Sequence, residues 1–197
     1  MLHSMGRGGI LSLSGAVKWL PVGLGEGRMF LVGTYELTVD AKNRLSVPFA
    51  IRRKLNDESD GHSLYVVPGR RPETLDLYPE KYYERLRAGD PPHESLSDEA
   101  YAYRQFEYSQ SALLDPDGQG RVLIPERLLK RAGIDKDVIL IAVQDHMELW
   151  PREQFEKFEN AMWPEYPRRR AAASQEMKAL ASAMSAEAKS AAESTAD

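Results

Sequence analysis

The sequence contains an imperfect internal repeat, and this constrains its fold more than any other feature. DAKNRLSVP, from Asp40 to Pro48, returns as DGQGRVLIP, from Asp117 to Pro125, at an offset of 77 residues. Asp, Arg, two apolar positions and Pro coincide. Further along, LDLYPEKYYERL matches MELWPREQFEKF, with Pro79 against Pro151 at an offset of 72, so the second copy is five residues shorter between these landmarks. A chain built this way is expected to fold as two related halves.

Each copy has the same pattern of elements. β-forming residues lead in from Phe30 to Val39, and more weakly from Ser109 to Leu114, and a polar turn follows. A short strand is predicted at Leu45 to Val47 and at Val122 to Ile124. Pro48 and Pro125 come next, where a helix would start, because proline suits a first helical turn and is poor inside a strand ladder. Ile51 and Leu55, or Leu128, Leu129 and Ala132, give that helix an apolar face. SLYVVP and VILIAV predict a third strand, TLDLYP and HMELWP a fourth. A closing helix carries Tyr82 and Leu86 in one copy and Phe155, Phe158 and Met162 in the other. Four short strands and two helices in about fifty residues are too few for an independent core, so the halves are expected to share one. The predicted class is α+β, mainly β, internally duplicated.

The halves are expected at 29–90 and 108–163. Between them, at 91–107, Ser97 ahead of an acidic first turn predicts a connecting helix. Residues 1–28 are Gly-rich, with an apolar run interrupted by Lys18 that is too short to span a bilayer. They read as a poorly ordered leader, with Met29 the natural first residue. Residues 164–197 follow a proline, are rich in Ala and Ser and lack a strong apolar face, which predicts a frayed helix or a disordered tail.

Composition narrows the chemistry. With no cysteine, the chain has no disulfide, thiol nucleophile or thiolate metal site. The four histidines, at 3, 62, 93 and 146, include no i, i+4 pair, so no metal site is expected. No P-loop, dinucleotide fingerprint or nucleophile elbow is present, which argues against an enzyme and against a cofactor. DPDGQGRVLIPE, Asp115 to Glu126, approaches a calcium loop. However, Gln119 stands where Asp or Asn is usual, the first copy lacks the pattern, and VLIP reads as strand, so calcium is not expected.

The repeated D-x-x-x-R turn remains. Structurally, Asp40 and Asp117 would accept backbone N–H bonds within their turns while Arg44 and Arg121 return to pair with them. Functionally, the same turns would expose Lys42, Asn43, Arg44 and Arg121 as a platform for nucleic acid, with Arg suited to guanine and Lys and Asn to phosphate or adenine. The overall charge of −4 gives no bulk attraction to DNA, so local charge must supply it. Residues 40–54 carry net +4 and 117–136 net +2, whereas 84–107 carry net −3. This segregation gives an acidic chain a basic face.

The duplicated turn, the LYP and LWP closures and the opening MFLVGTYELTVDAKNRLSVP closely resemble the MraZ family of bacterial transcriptional regulators over about residues 29–163. The resemblance implies two AbrB-like (SpoVT-AbrB) domains packed as a swapped-hairpin barrel, and subunits assembled in a ring-like homo-oligomer. It implies sequence-specific binding to direct repeats of double-stranded DNA in the promoter of a division and cell-wall gene cluster that includes the regulator's own gene. A cytoplasmic, nucleoid-associated protein without membrane, cofactor or small-molecule substrate would follow. The motif positions carried over are Asp40, Arg44, Asp117 and Arg121. Gln119 stands opposite Lys42, so the turns are expected to contact DNA unequally. The alternative is a protein-interaction module of the same fold, antitoxin-like, whose basic turns dock an acidic partner.

Overall fold

A computed structural model describes residues 29–193. The leader reading at 1–28, like the last four residues, lies outside them. The first half contributes β1 (Leu31–Thr38), β2 (Arg44–Ser46), α1 (Phe49–Arg52), β3 (Leu64–Pro68), β4 (Leu75–Pro79) and α2 (Glu80–Arg87). The second contributes β5 (Ala112–Leu114), β6 (Arg121–Leu123), α4 (Glu126–Arg131), β7 (Asp137–Gln144), β8 (His146–Pro151) and α5 (Arg152–Glu193). Between them lies α3 (Asp98–Ser109), whose cap is Ser97 accepting from the Ala100 N–H at 3.3 Å. Pro48, Pro79 and Pro125 each cap the helix that follows them, with φ near the value the ring imposes.

The halves exchange their first strands. One antiparallel sheet runs β1-β7-β8-β4-β3-β5. The first half's β1 thus pairs with the second half's third strand, and the second half's β5 with the first half's third strand. The two fourth strands meet at the centre, with Leu75 opposite Leu149 and Leu77 opposite Met147. A separate ribbon joins β2 to β6. The arrangement has approximate twofold symmetry about the β4–β8 seam.

Strand alternation explains why one core serves both halves. Leu45, Val66, Val122, Val138, Leu140, Met147 and Leu149 all point inward, are essentially inaccessible, and belong to a single cluster. A smaller cluster of Ile139, Trp150 and Phe155 covers the opposite face of β7 and β8 under the start of α5. That helix runs through Pro164 and Pro167 to Glu193 and is largely exposed over its distal part.

Candidate nucleic-acid interface

The two D-x-x-x-R turns are built alike, bond for bond. In the first, Asp40 Oδ1 accepts from the backbone N–H groups of Lys42 at 2.8 Å and Arg44 at 2.9 Å. In the second, Asp117 Oδ1 accepts from Gln119 at 2.9 Å and Arg121 at 3.0 Å. A four-residue return closes each turn, with the Asp N–H donating to the Arg carbonyl at 2.9 and 2.8 Å. The residue before Arg is left-handed in both, Asn43 at φ 60° and Gly120 at φ 74°. Asparagine and glycine tolerate that conformation best, which explains the N-R and G-R sequences.

The arginines are held by the same carboxylates. Arg44 Nε donates to Asp40 Oδ2 at 2.7 Å with Nη2 at 2.6 Å, and Arg121 Nε and Nη2 donate to Asp117 Oδ2 at 2.8 and 2.6 Å. Both pairs are partly exposed. The arginine side-chain bond, followed by the backbone bonds, holds the Asp40 and Asp117 carboxyls at about 2, while Asp40 in turn raises Arg44 above the usual arginine value. Each guanidinium spends only its Nε–Nη2 edge on Asp. Its Nη1 edge has no protein partner among the described residues, and it is fixed in direction.

The β2–β6 ribbon places the turns side by side. Arg44 lies opposite Leu123 and Ser46 opposite Arg121. Each left-handed residue also bonds across the seam: the Asn43 carbonyl accepts from Ile124 N–H at 2.9 Å and the Gly120 carbonyl from Val47 N–H at 3.0 Å. Leu45 and Val122 point into the core, so Arg44, Ser46, Arg121 and Leu123 share the outer face. Asp117 also acts on Arg44 across the ribbon.

Of the residues singled out in the sequence, Lys42 projects into solvent without an ion pair among the described residues. Asn43 is half-buried, and its backbone serves the turn. Two contributors escaped the sequence reading. Leu123 is an exposed apolar residue on the ribbon's outer face. Arg52 donates to the Val47 carbonyl at 3.0 Å and lies over Gly120, where a Cβ would fall 2.6 Å from its guanidinium. Leu123 could have been found from alternation around Val122. Arg52 could not, because its contact with Gly120 reaches into the other copy.

The calcium-like loop offers no converging ligands. Asp115 accepts from Ser63 Oγ at 2.5 Å, Asp117 holds Arg121, and Glu126 pairs with Lys130 at 2.6 Å.

Comparison with known proteins bears on the whole arrangement. A family model for MraZ protein, described as antitoxin-like, matches residues 108–178. The transcriptional regulator MraZ of Mycoplasma mobile is 31% identical over 130 residues, which cover 66% of this chain and 85% of the relative. That of Clostridium tetani is 32% identical over 130 residues, covering 66% and 87%. That of Heliobacterium modesticaldum is 29% identical over 138 residues, covering 70% and 92%. These alignments cover most of each relative, and the chain belongs to the MraZ family.

Proposed function

We propose that this protein is a transcriptional regulator that binds double-stranded DNA through its two D-x-x-x-R turns and has no catalytic activity. The relatives it matches are regulators by name, and the carrying observation is the pair of aspartate-buttressed arginines on one ribbon face. Bidentate recognition of guanine needs two N–H donors in a fixed plane. Asp fixes that plane before DNA arrives, which lowers the ordering cost of the contact. Because each Asp–Arg pair is close to neutral, phosphate attraction must come from neighbours, namely Lys42, Arg53 and Lys54 around the first turn. The second turn has Gln119 in place of Lys42, so the first contributes more to affinity. The architecture supports two AbrB-like halves, 29–90 and 108–163, in a swapped-hairpin barrel. Subunits in a ring would present several such ribbons to direct repeats in the promoter of a division and cell-wall gene cluster. No helix of the described residues is long and apolar enough to cross a membrane.

The test is binding of a cognate promoter duplex against a scrambled duplex at fixed salt. Arg44→Ala and Arg121→Ala should each reduce the preference for cognate DNA by about 1–3 kcal/mol, Arg44→Ala more, with secondary structure unchanged. Equal affinity for both duplexes in the parent protein would instead favour the antitoxin-like reading, in which the turns dock an acidic protein.

A further inference from the structure

On the side of the sheet away from the main core, the β4–β8 seam brings together three groups that the DNA-binding account does not use. Asp76 and Glu148 occupy equivalent positions in the two copies, and the strand exchange sets them directly opposite each other. Like charges facing across an antiparallel pair repel, so the pair is costly unless a cation, an imidazolium or a metal ion, lies between them. His146 lies two residues before Glu148 on the same strand face, and one ligating atom from each of Asp76, His146 and Glu148 lies within 4.8 Å of the others.

Their outer partners are arranged as around a metal. His146 Nδ1 is 2.7 Å from Asp145 Oδ1, and the other Asp145 oxygen accepts from Tyr82 Oη at 2.6 Å. This leaves Nε2 facing Glu148 Oε1 at 3.7 Å. Glu148 Oε2 is occupied by the Trp150 indole N–H at 2.9 Å. A carboxylate on the far ring nitrogen and a donor on the far carboxylate oxygen are the contacts that orient metal ligands. A metal with bonds of about 2.1 Å holds its ligand atoms roughly 3.0–3.5 Å apart, so small side-chain shifts would close the site. Asp76 is 93% buried, given its 7% relative exposure, and its Oδ1 has no hydrogen-bond partner. Arg71 lies nearby, but its guanidinium is over the Trp150 and Phe158 rings, 5.4 and 4.7 Å from their centroids.

We propose that Asp76, His146 and Glu148 bind one divalent transition-metal ion, with Asp145 as a positioning residue for the imidazole. One nitrogen and two carboxylates without thiolate suit Zn²⁺, Co²⁺ or Mn²⁺ better than Mg²⁺. The ion would link the two halves at their symmetry seam, where only the folded chain assembles the ligands, and would therefore raise the melting temperature.

The test uses the full metal-stripped chain with Zn²⁺ by calorimetry and with Co²⁺ by visible absorption. Substituting the other histidines together (His3→Gln, His62→Gln, His93→Gln) should leave uptake of one ion per chain and its melting shift intact. Asp76→Asn and His146→Gln should abolish both, and Asp145→Asn should weaken affinity about 10- to 100-fold. On the triple variant, ¹⁵N spectra should show Zn²⁺ moving the His146 Nε2 resonance, a readout that depends on no substitution at the cluster. No uptake by the triple variant, or uptake undiminished in Asp76→Asn, would overturn the proposal and leave the cluster a hydrogen-bonded imidazole only.

Discussion

At the scale of single residues, the aspartates of the repeated motif matter most. Asp40 and Asp117 each accept two backbone N–H bonds and an arginine edge, so one carboxylate both shapes the turn and aims the guanidinium. Their folded-state pKa values are lowered from 3.8 to about 2. A depressed carboxyl contributes stability that is complete above its unfolded value and is lost as pH falls through the folded one. The turns should therefore keep their geometry well below pH 4 and loosen only as pH approaches 2. Carboxyl NMR titration should place both midpoints near 2, and Arg44→Ala should return Asp40 toward 3.8. An Asp40 midpoint near 3.8 in the parent protein would show that the pair is absent in solution. The motif's spacing made this pairing readable from the sequence. The left-handed residue before each Arg was not read, and at Asn43 the side chain drew attention to DNA while the backbone was what the turn needed.

Among the elements, the β2–β6 ribbon couples the two turns. Each of its strands is only three residues long, and it persists because Leu45 and Val122 are buried beneath it and the Asn43 and Gly120 carbonyls accept bonds across the seam. Leu45→Ala should destabilise the fold by roughly 2–5 kcal/mol, as large-to-small core changes do. It should also weaken DNA binding through both turns, since neither holds its position alone. Urea unfolding checks the first effect. Binding by the still-folded fraction, with and without Arg121→Ala, checks the second: independent, additive losses would mean that the turns act separately. Strand positions, the proline-capped helices and the shared core were legible, because alternation and proline geometry are local. The exchange of β1 and β5 was not legible in the pattern itself, because a strand's pattern states which face is buried and not which strand lies beside it; only the resemblance, through its swapped-hairpin barrel, pointed to an exchange. For the same reason the metal-site candidate was invisible: Asp76 and His146 are 70 residues apart in sequence, and only the β4–β8 pairing joins them. Helix α5 extends past Pro164. Proline removes a helix donor and normally ends the element, yet here the helix continues and Arg168 pairs with Glu165 at 2.8 Å just beyond.

For the whole molecule, one ribbon is a small reading head. Two arginines and a few lysines bury far less than the surface that specific protein–DNA complexes normally require. The chain nevertheless leaves much apolar surface uncovered, including Phe30, Val32, Tyr103, Phe106 and Trp163, which suits subunits packing against one another. In an assembly, once one ribbon is docked the others face neighbouring repeats at high effective concentration. Affinity should then rise much faster than in proportion to the number of repeats, and it should depend on spacing, because successive ribbons must meet the same side of the duplex. The most direct measurement is an anisotropy titration at fixed salt of duplexes carrying one, two, three or four direct repeats, alongside a four-repeat duplex with half-turn insertions. A steep gain in affinity from one repeat to four, abolished by the insertions, is expected. Equal affinity for one repeat and four, or indifference to the insertions, would contradict it.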